Sequence, residues 1–142
     1  MTPERKFTLR FYGRINFLKV IRDFVKEIVS LRGTDPITVH AIVSAVDEAL
    51  ANVIHHAYGG EPGEVTLTTK VDDTKLSIVI RHRGKGFDPA SVPKPELNRL
   101  AAEGRKGGLG LAFMRQFMDE VEFRDLDDGQ HECTLTKQLP PA

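Results

Sequence analysis

Glu48 and Asn52 stand four residues apart in a stretch of helical periodicity, where a carboxylate and a carboxamide can work together. At about 100° per residue they sit about 40° from each other and can reach one point in space. Both fall roughly opposite an apolar stripe centred near Val46, so taken alone they also read as an ordinary solvated helix face. A second feature is Gly84-Lys85-Gly86-Phe87-Asp88, directly after a predicted strand. Two glycines at this spacing let the backbone come close to a ligand, or simply make a tight turn. The third is Gly107-Gly108-Leu109-Gly110-Leu111, which opens a predicted helix. Free N–H groups and the helix dipole at such a start favour an anion such as phosphate. It is not a Walker loop, because the Gly-Lys-Ser/Thr ending is absent. The companion motifs of the protein-kinase fold are also missing.

These residues need elements to carry them. Phe7, Leu9 and Phe11 alternate with polar neighbours and predict a first strand that Gly13 breaks. Phe17, Leu18, Ile21, Phe24, Val25, Ile28 and Leu31 recur at helical spacing, and Gly33 supplies the stop. Thr34-Asp35-Pro36 reads as a capped fresh start. From there Val39, Ile42, Val43, Val46, Leu50, Val53 and Ala57 mark a second long helix, the one that holds Glu48 and Asn52. Val65, Leu67, Thr69 and Val71, then Leu76, Ile78 and Ile80, predict a hairpin across Asp72-Asp73-Thr74. An irregular, glycine- and proline-bearing stretch over 81–108 follows, of a length that usually signals function. A helix over Leu109–Met118 and a hairpin pairing Val121 and Phe123 with Cys133 and Leu135 complete the order. The expected fold class is α+β, a two-layer sandwich with helices on one face of a mixed, mostly antiparallel sheet.

The chain has 142 residues, the size of one ordinary domain, and we expect a single domain over 1–142. Its 20 Lys and Arg balance 20 Asp and Glu, so no basic excess points to nucleic acid. The single cysteine, Cys133, has no intramolecular disulfide partner and reads as a core residue of a reducing compartment. No apolar run approaches the roughly 20 residues of a bilayer span, and no signal peptide opens the sequence. A cytoplasmic protein without a membrane partner is the expectation. His55-His56 is not at metal-ligand spacing.

In combination and order, the three features resemble the three boxes of the ATPase superfamily shared by gyrase, histidine kinases, mismatch-repair ATPases and heat-shock chaperones. The run from Val46 to Tyr58, Val-Asp-Glu-Ala-Leu-Ala-Asn-Val-Ile-His-His-Ala-Tyr, resembles the anti-sigma-factor serine kinases of bacterial stress and sporulation pathways. Gly107-Gly108-Leu109-Gly110-Leu111 followed by Met118-Asp119-Glu120-Val121 adds to the likeness, which covers nearly the whole chain.

The resemblance implies a histidine-kinase-like ATPase fold and Mg²⁺·ATP-dependent transfer of a phosphoryl group to a serine or threonine. It implies Glu48 as general base, Asn52 as the Mg²⁺ ligand, and Gly84 and Gly86 along the adenine end. A lid would span about 90–106, Arg105 or Lys106 would meet the γ-phosphate, and Gly108, Leu109 and Gly110 would offer N–H groups to phosphate. Implied partners are a sigma factor, held inactive by binding, and an antagonist protein that is phosphorylated; a homodimer is also suggested. One position departs from the pattern: where the family's first glycine box has Asp, this chain has His82. A neutral imidazole offers one acceptor nitrogen to the adenine amine in place of a carboxylate. The alternative is therefore a docking module on the same fold that regulates by binding alone.

Overall fold

The computed structural model describes residues 4–59, 61–86 and 107–140. Five strands carry the architecture: β1 (Arg5–Gly13), β2 (Gly63–Val71), β3 (Lys75–His82), β4 (Glu120–Asp125) and β5 (His131–Gln138). They form one sheet in the order β1-β2-β3-β5-β4. The helices are α1 (Leu18–Leu31), α2 (Pro36–Asn52) and α3 (Gly107–Phe117), with a 3₁₀ turn at Ile15–Phe17 before α1. A π-helical turn, Val53–Ala57, prolongs α2.

Alternation explains the sheet. Val65, Leu67, Thr69 and Val71 of β2, Leu76, Ile78, Ile80 and His82 of β3, and Cys133 and Leu135 of β5 are buried on one face. They share a core with Leu18, Ile21, Val25, Ile28 and Val29 of α1 and with the buried side of α2. Thr8, Thr68, Val79, Thr134 and Glu122 line up across the other face at one register level. One level along, Arg81, Glu132 and Arg124 stand side by side. Glu132 is only 8% exposed there and is bonded by Arg81 Nε at 2.7 Å and Arg124 at 3.1 Å. A carboxylate can be covered on a sheet face only with such partners. The result is the two-layer arrangement expected.

Every pairing is antiparallel, so the expected mixed sheet is corrected to a wholly antiparallel one among the described residues. The reason is topological: β3 and β4 run the same way, but β5 is inserted between them.

The predicted caps hold. Asp35 accepts from Thr38 N at 2.9 Å and from Thr38 Oγ1 at 2.6 Å, with Pro36 in the first turn of α2. These donors hold its carboxyl below the usual carboxylate range. Gly33, at φ +91°, closes α1 in the left-handed region glycine tolerates. Next to it, Arg32 donates from Nε to Asp72 O at 3.0 Å and also to Asp73 O and Pro140 O. The end of α1 is thereby tied to the β2–β3 turn.

The helix over Pro36–Ala57 is 22 residues long and, by length and composition alone, apolar enough to cross a bilayer. This corrects the expectation that no apolar run approaches such a length. Its apolarity is used in packing: Val39, Ile42, Ala45, Val46, Ala49 and Leu50 are all buried in the core.

Candidate functional site

Asn52 closes the regular part of α2, and the π turn that follows swings Val53, His56 and Ala57 beneath the end of β3. A π turn leaves carbonyls that the α-helical ladder would have used, and here Ala57 O accepts Lys85 N at 2.9 Å. The loop after β3 is therefore stitched to the end of α2. One cleft results. It is lined by Asn52, His56, His82, Lys85 and Gly86 among Ala49, Val53, Ala57, Met114, Phe123 and Cys133. A mostly apolar slot with a few convergent polar groups is the ordinary design of a small-molecule site.

Glu48 lies one turn further up α2, about 6 Å along the axis from Asn52. Both are half-buried rather than fully solvated, which sets aside the reading of an open helix face. Glu48 does not line the same cleft as Asn52.

His82 is buried at the last position of β3. Its Nδ1 lies 2.6 Å from the Arg83 carbonyl oxygen. A carbonyl can only accept, so Nδ1 carries the proton and the neutral ring presents Nε2 as its acceptor. Burial pushes the imidazole below its ordinary pKa; the bond to Arg83 opposes this and nearby His131 adds to it. The His82 ring is thus a neutral acceptor at its Nε2.

Tyr58 and His131 enclose the glycine loop. The Tyr58 hydroxyl donates to Glu64 O at 2.6 Å and accepts from Arg83 N at 2.9 Å. Gly84 has φ +79°, and a Cβ there would stand 2.6 Å from Ala57 O and 2.9 Å from the Tyr58 ring. At Gly86 a Cβ would stand 2.8 Å from His131 Cε1. Glycine is needed at both positions, for close approach and, at Gly84, for backbone conformation as well. Cys133 is a buried core residue as expected, its thiol pushed up to about 12 by burial.

Gly108, Leu109 and Gly110 occupy the first turn of α3, whose N–H groups have no partner within the helix. Arg105, Lys106 and the lid expected over 90–106 lie outside the described residues. Among the expected site residues, then, Asn52, His82 and Gly86 meet in one cleft, with Gly84 in the loop that borders it. Reading motifs alone missed His56, Lys85, Tyr58 and His131. His56 and Tyr58 lie in the run that carries Glu48, and Lys85 lies between the two glycines, so only His131 had no local signal.

A family model described as the histidine kinase-like ATPase domain matches residues 14–137. The chain is 35% identical over 98 residues to the anti-sigma F factor of Caldanaerobacter subterraneus subsp. tengcongensis, covering 69% of this chain and 68% of that protein. It is 29% identical over 126 residues to the serine-protein kinase RsbW of Listeria innocua, covering 85% and 80%. Its fold matches the RsbU and RsbW domains of Rv1364c from Mycobacterium tuberculosis with TM-score 0.65 at 21% identity, over 99% of this chain and 34% of that one. The SiaB-SiaC complex structure from Pseudomonas aeruginosa matches with TM-score 0.58 at 15% identity, over 92% and 89%. The sheet order, the cleft at the end of α2 and these likenesses agree, and the chain belongs to the histidine kinase-like ATPase family, in its branch of anti-sigma-factor serine kinases.

Proposed function

We propose that this chain binds Mg²⁺·ATP and transfers the γ-phosphoryl group to a serine or threonine of an antagonist protein, and that it also binds a sigma factor. The observation that carries the reading is the meeting of Asn52, His56, His82, Lys85 and Gly86 in one otherwise apolar cleft. The apolar side chains of Val53, Ala57, Met114 and Phe123 would face the base, and His82 Nε2 would be the acceptor for its amine. Nucleotide phosphates would run from there toward Asn52 and the N–H groups of the first turn of α3.

The residues fit a magnesium ion of the substrate-borne kind. Among the described residues no cluster of three His, Cys, Asp or Glu could cage a metal. Mg²⁺ seldom needs a cage: it takes one or two protein oxygens, substrate phosphates and water. Asn52 would supply the protein oxygen. When bound, the ion neutralises charge that develops on the phosphates.

Glu48 would take the proton from the attacking hydroxyl, worth about 10²- to 10⁴-fold in rate. Gly108, Leu109 and Gly110 would place N–H groups where the phosphates lie, and Arg105 or Lys106 would supply the cation for the γ-phosphate. The alternative of a docking module without ATP use rests on His82; its Nε2 acceptor favours the kinase reading.

Transfer from radiolabelled Mg²⁺·ATP to an anti-sigma-factor antagonist is the test. Wild type should label a serine or threonine, and Glu48→Gln should fall at least about 100-fold while ATP affinity stays within about twofold. Equal labelling by both proteins would remove Glu48 from its role, and no labelling by wild type would favour the docking module.

A further inference from the structure

The glycine loop after β3 is held at two backbone points, and the second hold comes from the neighbouring strand β5. Lys85 N–H is anchored to Ala57 O at 2.9 Å. The carbonyl one residue earlier, Gly84 O, lies 3.1 Å from His131 Nε2. His131 is the first residue of β5 and pairs with His82 across the ladder, their rings 5.5 Å apart. On its other side His131 Nδ1 lies 2.7 Å from Asp125 Oδ1, and Asp125 is its cross-strand partner on β4.

Both neighbours of the ring are acceptors. Gly84 O and the Asp125 carboxylate can only be served by N–H groups, so the ring donates to both at once when it is protonated. The ring also occupies the space a side chain at Gly86 would need, 2.8 Å from the position of its Cβ. Tyr58 covers the opposite side at Gly84. The loop is thus clamped between Tyr58 and His131, and its Lys85 and Gly86 line the cleft.

We propose that His131, oriented by Asp125, is a positioning residue that sets the Gly84–Gly86 loop for the nucleotide. This rests on the nucleotide reading above. The ring reaches the loop's backbone and His82 rather than any reacting atom. Asp125 is 81% exposed, so its contact with His131 adds little on its own, and the bond to Gly84 O carries the effect.

The variants separate the two ring nitrogens. His131→Gln puts an amide N–H at about the reach of Nε2, whereas His131→Asn reaches only toward Asp125, and His131→Ala reaches neither. Two readouts are taken on the full chain: hydrogen exchange of the Lys85 amide, referenced to the Ile78 amide in the middle of β3, and calorimetric titration with Mg²⁺·ATP. Referencing to Ile78 removes any general loss of stability. We expect Ala and Asn to speed Lys85 exchange about tenfold and weaken ATP by a similar factor, while Gln stays within about threefold of wild type on both. The proposal is overturned if Lys85 exchange is unchanged in Ala, or if all three variants behave alike. If the exchange pattern holds but wild type binds no ATP, the clamp stands and the nucleotide reading falls.

Discussion

At the proposed adenine end of the cleft, the loop after β3 is held by hydrogen bonds to main-chain atoms. Ala57 O accepts from Lys85 N, His131 Nε2 donates to Gly84 O, and the Tyr58 hydroxyl joins Glu64 O to Arg83 N. At the proposed phosphate end, Asn52 and, one turn away, Glu48 ride on α2, which Val46, Ala49 and Leu50 fix in the core. The second arrangement separates tasks: side chains for chemistry stand on a helix whose stability comes from other residues. In the first, the atoms that shape the cleft are the same ones that hold the structure together. Substitutions at the adenine end should therefore change stability and ATP affinity together. At the phosphate end the two should come apart, as Asn52→Ala is expected to show.

Gly84→Ala should have the largest effect on this comparison. It forces an L side chain into φ +79° and drives its Cβ to 2.6 Å from the Ala57 carbonyl. We expect a stability loss of about 1–3 kcal/mol, read by denaturant unfolding, with loss of measurable ATP binding. Unchanged stability would mean the loop is not the shared element it is taken to be. Asn52→Ala should come next, with ATP affinity in Mg²⁺ falling about tenfold and the melting temperature nearly unchanged. Calorimetry with and without Mg²⁺ checks this, because the two affinities should converge in the variant.

The smallest effect concerns acid. The native pKa of His82 is lowered from its ordinary 6.5, chiefly by burial. Below that value the unfolded chain binds a proton the native site resists, so stability falls as pH drops through 6.5 toward the native value. Protonation would also convert Nε2 from acceptor to donor and weaken ATP. Between about pH 7.5 and about pH 5.5, wild type should lose melting temperature relative to His82→Gln. A pH-independent difference would contradict a neutral, buried His82.

Much of this was legible in the sequence. The four-residue spacing of Glu48 and Asn52, the Asp35 cap and the alternation in β2 and β3 are local signals, and each forms as local physics dictates. Two things were not legible. That Asn52 shares a cleft with His82 depends on the π turn, which no residue type announces. The clamp by His131 depends on β5 inserting between β3 and β4 in the register that sets His131 opposite His82. A period-2 pattern says which face a residue takes, not which partner it meets. The same insertion removed the parallel pair expected of a mixed sheet.

The central claim is that His82 lets this cleft read adenine. Wild type should be titrated by calorimetry with Mg²⁺·ATP and Mg²⁺·GTP under one set of conditions, and His82→Asp in parallel. Guanine carries a carbonyl where adenine carries its amine, so a second acceptor would face Nε2. The account predicts ATP at least about tenfold tighter than GTP in wild type, and a further tightening of about tenfold for ATP alone in His82→Asp, the range of one charge-assisted bond. Equal affinities for the two nucleotides, or no binding of either by both proteins, would contradict it.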